Sequence, residues 1–73
     1  MLNLDRITFD PHMMAGQACI RGMRIPVSVI AGQVAYGATV EEILDEYAAL
    51  ERDDIQQALA YTAWLAHEAV HPE

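Results

Sequence analysis

Arg21 and Arg24 stand on either side of Gly22 and Met23 in the segment IRGMRIPV, Ile20 to Val27, of a chain that carries few other cations. Arginine presents five donors in a planar fork that suits carboxylates, carbonyl groups and phosphates. Three uses are open to this pair: tying the segment to acids elsewhere in the chain, contacting a protein partner, or contacting DNA. The first ranks highest and DNA third.

A second group, Glu41, Glu42, Asp45 and Glu46, concentrates carboxylates on a short stretch. Phosphates repel such a surface, so it reads as a solvated face or as a docking face for a basic partner. Tyr61 and Trp64, three positions apart, have apolar bodies and polar tips that suit either a wide core face or an anchor in a partner interface. His67 and His71 flank Glu68 at a spacing that can set two imidazoles on one metal. No third ligand stands nearby, so no metal site is expected. His12 and Cys19 could supply a base and a nucleophile, but no orienting third group or glycine-rich loop accompanies them. Cys19 is expected to be a small buried hydrophobe. No catalytic residue, cofactor or enzymatic activity is expected.

The chain has 73 residues, 53% of them hydrophobic, and a net charge of -7. These values describe one soluble domain over residues 1–73 rather than a disordered acidic tail. A chain of this size buries only roughly 60–65% of its unfolded surface, so a homodimer, a higher oligomer or another partner is expected to supplement the core. The single cysteine allows no internal disulfide, and the N-terminus lacks a secretory pattern, so the expected compartment is the cytoplasm. The longest uncharged stretch, Ile25 to Val40, is broken by polar residues and glycines and is too short to span a bilayer. The charge is uneven. Residues 1–37 hold three arginines against two aspartates, a net of +1, whereas residues 38–73 hold Arg52 against nine acids, a net of -8. The two halves are expected to face different partners.

The elements that must position these groups can be read from periodicity. Ile7 and Phe9 alternate with Thr8 ahead of Asp10-Pro11, which predicts a short strand ending in a turn. Met23, Ile25 and Val27 continue a period of two after Ala18, which predicts a second strand to about Ile25, bent at Gly22. The strand region thus covers about residues 5–26. Val27, Ile30 and Val34 then mark a helix over about 27–36, stopped by Gly37. Thr39 and Glu42 have the spacing of a capping box that opens a helix over about 39–48, with Val40, Ile43, Leu44 and Tyr47 on its apolar face. A third helix is expected over about 52–68. Asp53 and Asp54 lie in its first turn, and its inner face carries Ile55, Leu59, Thr62 and Ala66 beside Ala58 and Leu65. The expected fold is mainly α: a three-helix core like a helix-turn-helix, with a short N-terminal strand region.

The motifs ITFDP, IRGMRIPV, AYGATVEEIL and DDIQQALAYTA, with the glycine of AGQ, occur in an order that resembles the bacterial domain of unknown function family 433 over about Ile7 to Ala63. Four positions depart from the family's usual pattern. Gly16-Gln17-Ala18 replaces Gly-Lys-Pro, Met23 replaces threonine, Ala48 replaces proline, and Glu51 replaces a Ser or Thr cap. The resemblance implies a small domain related to helix-turn-helix proteins, and an antitoxin paired with a neighbouring PIN-like ribonuclease toxin. Such a nuclease resembles a carboxylate cluster that binds divalent metal in a basic cleft. Arg21 or Arg24 would reach those carboxylates, and Glu41, Glu42, Asp45 or Glu46 would cover the basic rim. The competing expectation is a homodimeric transcription regulator that reads DNA through its strand ribbon or second helix. The third is an interaction module with neither activity.

Overall fold

The structure, a computed structural model, describes residues 4–69. Two short strands, β1 (Ile7–Phe9) and β2 (Ala18–Ile20), are followed by three helices, α1 (Val27–Ala35), α2 (Val40–Glu46) and α3 (Arg52–Ala69). The strands pair antiparallel in the register Ile7 to Ile20, Thr8 to Cys19 and Phe9 to Ala18. Between them, Asp10 starts the turn by accepting the His12 amide on Oδ1 at 2.9 Å. The segment Met14–Gly16 then winds one tight turn at φ values of 52°, 58° and 80°.

The second strand is shorter than its alternation predicts. It stops at Ile20, and Arg21 and Gly22, at φ 45° and 71°, reverse the chain. The Met23 amide donates to the Ile20 carbonyl at 2.8 Å and the Ile20 amide to the Ile25 carbonyl at 3.1 Å. Two consecutive residues at positive φ match the twist of a tight hairpin turn, so Gly22 makes a reversal where a bend was expected. An isolated bridge from Cys19 to Pro26 closes the loop and delivers the chain to α1.

All three helices lie close to their expected bounds. Gly37, at φ 100°, ends α1, with the Ala38 amide returning to the Gln33 carbonyl and the Gly37 amide to Val34. These bonds form the left-handed Schellman closure. The capping box of α2 is complete: the Thr39 amide donates to Glu42 Oε1 at 2.8 Å, and the Glu42 amide to Thr39 Oγ1 at 3.1 Å. The core joins Ile7 and Ile20 of the strands to Val27 and Ile30 of α1, Ile43 of α2, Leu50, and Ile55 and Ala58 of α3. Helix α3 packs chiefly against α1. Its 18 residues extend about 27 Å, beyond the small core, so Leu65 and Ala66 are exposed rather than buried in it.

Candidate functional site

Asp54 lies in the first turn of α3 and is the one buried charged side chain among the described residues, with 0% exposure. It accepts four hydrogen bonds. Arg21 Nε donates to Oδ1 at 2.9 Å and Arg21 Nη2 to Oδ2 at 2.7 Å. Arg6 Nη1 donates to Oδ1 at 3.0 Å and the Glu51 amide to Oδ2 at 2.8 Å. A carboxylate offers about four lone-pair sites, so this set saturates it. Burial alone would push the Asp54 carboxyl up, but the hydrogen bonds from Arg21, the Glu51 amide and Arg6 outweigh it and bring it down to about 2. The guanidinium groups of Arg6, bonded to Glu51 and Asp54, and of Arg21, bonded to Asp54, are held more firmly protonated than usual.

Local structure aims each member of this network. The positive φ of Arg21 turns its side chain out of the Arg21-Gly22 reversal toward the start of α3, where Nη2 also donates to the Ala49 carbonyl at 2.8 Å. Arg6, just before β1, adds a 2.7 Å bond to Glu51 Oε1, and its amide donates to Gln57 Oε1 at 2.9 Å. Gln57 in turn donates to Asp5 at 2.8 Å. Glu51 is a poor helix cap by type, and Asp54 satisfies its amide by reaching back from the third helical position. That spacing is the sequence signal for Asp54, in addition to its place against the helix dipole. Arg6 carried no comparable signal and entered only the charge count.

The expected contact residues separate into distinct groups. Arg21 is committed to Asp54, the intramolecular role that ranked first for the pair. Arg24 is exposed and forms no ion pair with any described residue. Glu41 pairs with Arg52, which holds its carboxyl below the usual range, and Glu42 is occupied in the capping box. Asp45 and Glu46 remain exposed on the same helix. Tyr61 is half-buried and stacks on Trp64 with ring centres 6.2 Å apart, while Phe9 meets Tyr61 edge-on at 5.9 Å. Phe9 was not among the expected contact residues, although it extends the same aromatic row. Cys19 is buried and His12 exposed, an arrangement unlike a nucleophile with its base. His67 is exposed, and its expected companion His71 lies outside the described residues. No helix among the described residues is long and apolar enough to cross a membrane.

The arginine-aspartate clasp joins two segments that stand among the quoted motifs, IRGMR and DDIQQ. The family model for the protein of unknown function DUF433 matches residues 7–62. This chain belongs to the DUF433 family. A crystal structure of a DUF433 member protein from Anabaena variabilis ATCC 29413 superposes with a TM-score of 0.81 at 31% identity, covering 88% of this chain and 63% of that one. The uncharacterized protein y4eO of Sinorhizobium fredii (strain NBRC 101917 / NGR234) is 34% identical over 55 residues, which are 75% of this chain and 25% of that protein. The chain therefore spans only part of the length of both relatives.

Proposed function

We propose that this DUF433 chain is the antitoxin of a pair, binding and neutralising a toxin that is a PIN-like ribonuclease. The observation that carries the reading is the contrast between the two arginines. Arg21 is consumed by Asp54, whereas Arg24, three residues on, is exposed with no ion pair to a described residue. Arg24 is the arginine able to reach an external carboxylate cluster, where a bidentate contact would displace metal or block its approach. Asp45 and Glu46 supply the acidic face that lies over a basic RNA-binding rim. Glu41 and Glu42, already bound to Arg52 and Thr39, contribute charge rather than free acceptors.

The test is co-purification with the product of the adjacent gene, followed by ribonuclease assays of the pair. Arg24→Glu should leave the fold intact and abolish neutralisation. Full neutralisation by that variant would sink the arginine mechanism, and an orphan gene would count against the pairing. The regulator alternative would gain from a mobility shift on promoter DNA whose affinity falls steeply with salt.

A further inference from the structure

Two stretches of the chain carry no charge. Residues 25–40, which include α1, and residues 55–66 of α3 contain no Asp, Glu, Lys, Arg or His. Between β2, α1 and α3 lies an open groove of about 520 Å³, walled by Ala18, Val27, Ala31, Tyr61, Thr62 and Leu65, and none of its lining residues is charged. Beside it rises the aromatic row of Phe9, Tyr61 and Trp64. Phe9 is 60% exposed, and Trp64 and Leu65 are each 44% exposed. Large apolar groups left in water next to an apolar depression mark a contact surface.

We propose that this face is the contact between two copies of the chain, joined about a two-fold axis with the aromatic row of each copy seated in the groove of the other. Charge selects the occupant. Residues 41–54 hold seven acids and one arginine, so a seam at α2 or the start of α3 would press like charges together. Two chains of net charge -7 meet at the least electrostatic cost where each is neutral. A basic partner, by contrast, is drawn to the α2 side, away from this groove. Shape agrees with charge, because an isologous contact needs a projection and its complement on the same surface. The face also adjoins a core that is small for an independent domain. This surface is separate from Arg24 and α2, so the dimer and the antitoxin reading stand or fall independently.

Sedimentation equilibrium of the full chain tests the proposal. The expected species has twice the 8.1 kDa chain mass and dissociates on dilution. Trp64 is the sole tryptophan, and its emission should shift to the red as the dimer separates. Trp64→Glu and Leu65→Glu should each weaken association on the order of 100-fold, as loss of a central interface anchor does. An 8.1 kDa monomer at the highest soluble concentration would overturn the proposal. So would a dimer indifferent to both substitutions, or one whose dissociation leaves the Trp64 emission unmoved.

Discussion

The Arg21 guanidinium grips both oxygens of the Asp54 carboxylate, Nε to Oδ1 at 2.9 Å and Nη2 to Oδ2 at 2.7 Å. This clasp fastens the reversal after β2 to the start of α3, and Arg6 fastens the entry to β1 at the same point. Removing the buried acid leaves two cations facing each other with their shared counter-charge gone. Asp54→Ala should therefore cost about 3 kcal/mol in urea-induced unfolding. Arg21→Ala should destabilise more than Arg6→Ala, since Arg21 supplies two of the bonds to Asp54 and Arg6 one. Arg21→Lys should restore little, because an ammonium group cannot reproduce the fork.

The same carboxylate makes stability depend on acid. Its folded value of about 2 lies below the ordinary aspartate value of about 3.9, so the unfolded chain binds the proton more readily. The contribution, roughly 2–3 kcal/mol, is fully present above about pH 5 and is lost as the pH falls through about 2. Thermal melts across that window should show a falling midpoint. Asp54→Asn should melt lower at neutral pH and show a shallower decline.

Two glycines should respond to alanine with opposite signs. Gly37 closes α1 at φ 100°, and an added Cβ would meet nothing within 4 Å, so Gly37→Ala costs backbone strain alone, about 1 kcal/mol. Gly32 sits inside α1 with equally open space, so Gly32→Ala should stabilise by about 0.5–1 kcal/mol through helix propensity. Denaturant midpoints of the two variants should bracket that of the parent chain.

Thr39→Ala removes the acceptor for the Glu42 amide and should cost about 1 kcal/mol. Helix α2 has only seven residues, so the loss should appear locally as faster amide exchange over its first turn. Thr39→Ser should behave nearly as the parent chain does.

Arg24 and Arg21 provide a paired test of structure against contact. Arg24→Glu should change the unfolding free energy by no more than about 0.5 kcal/mol, as expected for an exposed position with no ion pair to a described residue. Arg21→Glu should bring a third carboxylate up to Asp54 and Glu51 and prevent stable folding. Circular dichroism melts of the two variants check the contrast, and similar behaviour would refute it.

Local rules made much of this protein legible. The helix bounds, the Thr39 capping box and the Gly37 closure follow from neighbours within a few residues, where side-chain type and backbone preference act directly. The acidic face of α2 was equally readable, because a helix of known phase determines which side chains lie outside. The strand after Ala18 is shorter than its alternation predicts, since period-two alternation does not reveal that Arg21 and Gly22 both take positive φ. The buried part of α3 likewise ends before Leu65 and Ala66, which its periodicity places with the inner face. Periodicity shows which way a helix faces but not where its partner ends.

What only the tertiary structure decided is the division of labour among the charges. Arg6 and Arg21 lie 48 and 33 positions from Asp54, and no spacing rule reaches that far. Their meeting depends on a reversal, a strand register and a helix start that must all be formed first. Composition established that cations gather in one half and acids in the other. Folding chose which of them neutralise each other inside, leaving Arg24, Asp45 and Glu46 on the surface. The choice is physical: a carboxylate buried at a helix start has to be matched at once by donors, and the two arginines brought beside it supply them.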